Sequence, residues 1–115
     1  MKIEDAILLI LRKHVGKENA IRRMHLKWML QTMGHRVSDR SMRQTIEHLR
    51  RTDDEGALIC SSSAGGGYWI ARNDYELMES YREERRRALN ILVTIRERKE
   101  RGRRALEKVE QRLLF

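Results

Sequence analysis

Proline is absent from this 115-residue chain, and cysteine occurs once, at Cys60. Without proline, nothing in the backbone forbids long helices. With one cysteine no intrachain disulfide can form, and nothing points to an oxidising compartment. No run of about 20 apolar residues occurs, so no membrane span is predicted. The apolar stretch AILLIL follows Glu4 and Asp5 and is closed by Arg12-Lys13. That lacks the basic leader and small-residue cleavage site of a signal peptide. The expectation is a cytoplasmic protein with no membrane partner.

Catalytic signatures are missing as well. His14, His25, His35 and His48 stand singly, with no HxxxH or CxxC spacing, so no metal site is predicted. The glycine-rich stretch has no GK[ST] and no surrounding βαβ unit, which argues against a nucleotide loop. No carboxylate sits in an apolar stretch that would tune it for acid–base work. The sequence therefore predicts no catalytic residue, no cofactor and no enzyme.

What the chain has in quantity is charge. Lys and Arg number 25 against 17 Asp and Glu, a formal net charge of +8. A basic balance suits a polyanion, and acidic residues interspersed almost everywhere also suit a solvated surface. With 40% hydrophobic and 37% charged residues, the chain can fill one modest core. Its length fits one small domain plus an extension.

Periodicity supplies the elements. Ile3, Ala6, Ile7, Leu9, Ile10 and Leu11 give a first helix with a wide apolar face, stopped by Gly16. Residues 19–22 read as a short strand or extended entry. A second helix over about 23–33 carries Leu26, Met29, Leu30 and Met33, with Trp28 at its edge. Gly34 stops it, Val37 plugs the turn, and Ser38 or Asp39 caps a third helix at once. On that helix Met42, Ile46 and Leu49 share one face. The opposite face carries Arg40, Gln44, Glu47 and Arg51, flanked by Ser41, Arg43 and His48. TDDEG ends it with an exposed acidic cluster. Leu58–Ser61 and Tyr68–Ala71 then read as strands around the loop SSAGGG. Along the second strand, one of Tyr68 and Trp69 should face the core and the other the outside. Cys60 reads as a small core hydrophobe, and Met24, Met29, Met33 and Met42 as core packing.

From Asp74, read as a cap, the pattern changes to a charged helix with no strong breaker before Gly102. Alternating 3–4 spacing runs through Met78, Tyr81, Arg85, Ala88, Leu92, Ile95, Lys99, Gly102, Leu106, Val109 and Leu113. A continuous coiled coil is expected, with Arg85, Lys99 and Gly102 as faults in the seam. A helical hairpin broken near Gly102 is the alternative. Leu89, Leu92, Ile95, Leu106, Val109 and Leu113 cannot be buried by one isolated helix. The basic clusters 85–87 and 96–104 read as a coiled-coil exterior offset by Glu83, Glu84, Glu97 and Glu100.

The stretches SDRSMRQTIEHLRR and ALICSSSAGGGYWIA resemble the third helix and wing of winged helix-turn-helix DNA-binding domains. They look closest to small winged-helix proteins of bacteriophages and prophages, which often continue into a charged C-terminal helix. The turn in QTMGHRV is longer than in the shortest repressor pattern, which leaves the register of base contacts open. The resemblance implies a mainly α fold with a small β-hairpin wing over residues 1–73. Residues 74–115 would then be a dimerisation coiled coil.

It also implies roles for side chains. Arg40, Arg43 and Gln44 would read bases, and Ser38, Ser41, His48, Arg51 and the wing residue Ser63 would complete the DNA contacts. Arg50 or Arg51 would clamp phosphate. Met78, Tyr81, Ala88, Leu92, Ile95, Leu106, Val109 and Leu113 would form the dimer seam. The expected partners are double-stranded DNA and a second copy of the chain, in a transcriptional or replicative regulator. The rival reading is a winged-helix module that binds another protein. It is kept open by the wing tip without Arg or Lys and by Asp53-Asp54-Glu55 beside the expected DNA face. RNA is a weaker option, since no aromatic platform is evident.

Overall fold

A computed structural model describes residues 1–62 and 65–114. The first helix, α1 (Ile3–Leu11), buries Ala6, Ile7, Leu8, Ile10 and Leu11. Leu8 takes the core position expected for Leu9, which is 41% exposed. The helix ends five residues before Gly16. That glycine, at φ +91°, instead donates its N–H to Ile70 O at 2.9 Å.

The second and third helices, α2 (Arg23–Thr32) and α3 (Asp39–Thr52), are separated by a turn that the sequence encodes closely. Gly34 stands at φ +90° with open space where a Cβ would be, so the residue is required for its backbone angle. His35 N–H donates to Leu30 O and Gly34 N–H to Gln31 O, which satisfies the last carbonyls of α2. Val37 packs against the core as a partly buried plug. Ser38 is the cap of α3: its Oγ accepts from Ser41 N–H at 3.0 Å.

Two strands follow, β1 (Ile59–Ser62) and β2 (Gly67–Ile70), paired antiparallel from Ile59↔Ile70 to Ser62↔Gly67. The other edge of β2 takes bridges from Val15 and Ile21, so the short entry segment pairs at a single residue rather than as a full strand. Gly67, at φ +87°, is needed there. A Cβ would stand 1.9 Å from Ile21 O.

The main core joins α1, α2, α3 and one face of the hairpin. Ile7, Leu11, Leu26, Leu30, Met42 and Ile46 are its largest fully buried side chains. Each contributes roughly 1.5–3 kcal/mol of burial. The other hairpin face is covered too: Cys60, Trp69 and Ala71 form a second cluster with Ala20 and Leu77. Tyr68 and Trp69 are therefore both buried, which corrects the expectation that one faces outward. Alternation holds, but each face has its own cover. The methionines are corrected as well. Met42 is buried and Met29 partly so, whereas Met24 and Met33 are exposed.

The last helix, α4 (Asp74–Leu114), starts one residue after its cap. Asn73 Oδ1, not the Asp74 side chain, accepts from Glu76 N–H at 3.0 Å. Glu76 Oε1 in turn accepts from Lys17 N–H at 3.0 Å, and Arg72 pairs with Glu18. Residues Met1–Ser80 form one compact unit, and the chain from Tyr81 onward forms a second. The helix is continuous through Gly102, so the hairpin alternative does not occur. The fold is mainly α with a small antiparallel hairpin after the third helix, an order compatible with a winged helix. Among the described residues, no helix is long and apolar enough to cross a membrane.

Candidate nucleic-acid interface

The sequence of α3 sorts its side chains cleanly. Met42, Ile46 and Leu49 are buried, while Arg40, Ser41, Arg43, Gln44, Glu47, His48 and Arg51 are exposed. Arg40, Arg43, Gln44, Glu47 and Arg51 line one shallow open groove along the helix. Predicted base readers and the predicted phosphate contact at Arg51 thus share a surface. Arg51 leans back along the helix, with Nε 3.4 Å from Glu47 O. Ser38 lies at the other end of α3 and uses an Oγ lone pair for the cap, leaving its hydroxyl proton to donate. Ser63 lies outside the described residues.

Arg50, expected as a possible phosphate clamp, is instead an internal staple. Its Nε donates to Ile59 O at 3.0 Å, one terminal nitrogen to Ser61 Oγ at 3.0 Å and the other to Glu47 Oε1 at 2.7 Å. A guanidinium with five fixed donors is suited to such a three-way tie. The staple joins α3 to β1 and neutralises Glu47, the one acidic group in the groove.

The acidic loop is likewise engaged. Asp53 Oδ2 accepts from Gly56 N–H at 2.8 Å, and Glu55 forms a forked pair with Arg12 at 2.5 and 2.9 Å. The Arg12 guanidinium holds the Glu55 carboxyl below its ordinary value and is itself raised. Asp53 and Glu55 are thus committed to local structure, while Asp54 is exposed as the sequence suggests.

Other cations near the groove escape the sequence reading. Lys27, Gln31, Arg36, Val37 and Ser38 line a second shallow surface at the start of α3. Lys27 stands 3.4 Å from Asp39 Oδ1, an ion-pair neighbour rather than a well-made hydrogen bond. Arg23, Arg43 and Arg50 all act on Tyr68, whose hydroxyl is raised by burial and partly drawn back by these cations. Arg36 is legible as the charged residue of the GHRV turn; Lys27 is brought beside the start of α3 only by the fold, next to Asp39.

Met24 and Trp28 are exposed one turn apart on α2, Trp28 at 59%, with the His25 ring 6.0 Å from that of Trp28. Among the described residues no group of three or more His, Cys, Asp or Glu side chains is placed to hold a metal ion.

The predicted seam residues on α4 are all exposed: Met78, Tyr81, Ala88, Leu92, Ile95, Leu106, Val109 and Leu113. Beyond Ser80 no described residue of the helix is buried. Compared with known proteins, the chain matches no family model, no curated protein and no solved structure.

Proposed function

We propose that this chain is a winged-helix protein that binds double-stranded DNA with α3 and acts as a homodimer held by α4. The observation that carries the reading is the grouping of Arg40, Arg43, Gln44 and Arg51 on one open face of a helix whose opposite face is core. Arginine matches guanine O6 and N7 with two donors, and glutamine matches adenine N6 and N7. The capped start of α3, with Arg36 and Lys27 nearby, supplies donors and positive charge for flanking phosphates. The role suggested by the resemblance to phage and prophage proteins is control of transcription or replication. Two copies related by a two-fold axis would read a pseudo-palindrome.

The test is selection from a random-sequence duplex pool at about 0.15 M salt, where weak nonspecific attraction is screened. Enrichment of a motif with two related half-sites supports the reading. The rival reading, a module that docks on another protein, is favoured by the exposed Met24–Trp28 pair. A pool that returns no motif while the folded protein is intact would move the assignment to that reading.

A further inference from the structure

The exposed seam of α4 points to its occupant and to the direction in which that occupant runs. We infer that α4 pairs with α4 of a second copy as an antiparallel coiled coil, centred between Val93 and Thr94. The inference rests on the homodimer reading above and adds its orientation and register.

The seam alternates between two kinds of site. One heptad position carries Met78, Arg85, Leu92, Lys99, Leu106 and Leu113, and the other carries Tyr81, Ala88, Ile95, Gly102 and Val109. In a parallel dimer each residue faces its own copy. Arg85 would meet Arg85, Lys99 would meet Lys99, and Gly102 would meet Gly102 across an empty layer. Like charges in a seam repel, and a missing side chain in a packed layer leaves a void.

In an antiparallel dimer the first kind of site faces the second. With the centre between Val93 and Thr94, Leu92 faces Ile95 of the second copy, Tyr81 faces Leu106, and Met78 faces Val109. The two charged residues then meet the two smallest: Arg85 faces Gly102, and Lys99 faces Ala88. Long side chains can lay their stems over a small residue and carry their charge out to solvent. The surface around Gly102 suits this. Nothing stands within 4 Å of where its Cβ would be, and Ile95, Lys99, Gly102 and Leu106 line a shallow groove there.

The neighbouring antiparallel registers lose these matches. Sliding the pairing by one heptad either way sets Arg85 against Ile95 or Val109 and Lys99 against Tyr81 or Ile95. A shift two heptads toward the C-terminus sets Lys99 on Gly102 but leaves Met78 and Tyr81 without a partner. The flanking charges do not choose a direction. A parallel pair brings Arg98 near Arg103, and the antiparallel pair brings Arg82 near Arg103. The seam decides.

The experiment is dipolar distance measurement on the full-length chain carrying Gln111→Cys, spin-labelled at that exposed outer-face position, alongside sedimentation equilibrium. Cys60 is fully buried, and label uptake by the parent chain serves as the control. The inferred register places the two labels about 50 Å apart along the axis, at 1.5 Å per residue. A separation near the width of two helices, about 20 Å, means a parallel pair: it overturns this inference and leaves the homodimer standing. About 30 Å means an antiparallel pair in the C-terminal register and overturns the centre assigned here. A monomer in sedimentation overturns the homodimer reading itself, and this inference with it. As a second measurement, Ala88→Cys and Lys99→Cys chains are mixed and oxidised. The inferred antiparallel register gives the mixed disulfide, and its absence, with only like-with-like products from a parallel pair, overturns that register.

Discussion

Helices α3 and α4 are both amphipathic, and they use the same kinds of residue to opposite ends. On α3 every large apolar side chain is buried, so what solvent meets is arginine, glutamine, serine and histidine. On α4 beyond Ser80 the apolar side chains themselves meet solvent, with Leu92 at 61% and Leu106 at 66% exposed. A polar face on a helix anchored by its core is satisfied by water and open to a charged ligand. An apolar stripe on a helix without a core is a surface that awaits another stripe. Composition alone does not separate these cases, because both helices are rich in arginine.

The contrast can be broken most sharply by paired substitutions. Ile46→Ala on α3 removes fully buried volume and is expected to lower the unfolding free energy by about 2–5 kcal/mol in urea titration. Leu92→Asp with Ile95→Asp on α4 is expected to leave the unfolding of the compact unit unchanged while converting dimers to monomers in sedimentation. An equal loss of fold stability in both variants would mean that the two helices are not different in kind.

On the exposed face of α3 the effect should fall on binding. Arg40→Ala with Gln44→Ala is expected to weaken DNA affinity by about 1–3 kcal/mol for each side chain that reads a base, with the melting temperature unmoved. Unchanged affinity in the folded variant would remove α3 as the reading element. Smaller again is Ser38→Ala, which deprives the Ser41 N–H of its acceptor and should cost about 1 kcal/mol of stability.

The smallest effect is a pH dependence. Glu55 has its carboxyl lowered in the fold by Arg12, so its stabilisation is present above the unfolded carboxylate value, about 4.3, and is lost as pH falls through the folded one. The slight destabilisation expected of Glu55→Gln at pH 7 should therefore shrink as pH falls below the unfolded carboxylate value and vanish once the folded carboxyl is protonated. A gap that persists in acid would mean that the side chain acts by packing and not by charge. Both partners are largely solvent-screened, so the difference is small by nature.

Much of the fold is legible because it is written in local signals. Gly34 before a serine cap, three apolar residues on one face of α3, and strand runs around a glycine tip each have a short-range cause. What is not legible depends on residues distant in sequence. Trp69 is buried because Leu77 and Ala20 reach it, and nothing in YWIA announces them. Arg50 and Arg51 are adjacent and chemically identical. Only the position of Ile59 and Ser61 makes one a staple and leaves the other on the groove. The methionines mislead for a related reason: Met29 and Met33 share the apolar stripe of the second helix, yet only Met29 packs against the core.

The staple at Arg50 has a bearing on the edges of the hairpin. Ile70 points its N–H and C=O away from β1, toward His14 and Gly16, so its register partner Ile59 points its carbonyl outward from the hairpin. That outer carbonyl is the one Arg50 holds, while Val15 and Ile21 occupy the far edge of β2. An open strand edge invites another chain to add to it. Here one rim is paired by backbone, and on the other a guanidinium holds the Ile59 carbonyl and the Ser61 hydroxyl. The hairpin is thus discouraged from growing into a sheet shared with another chain.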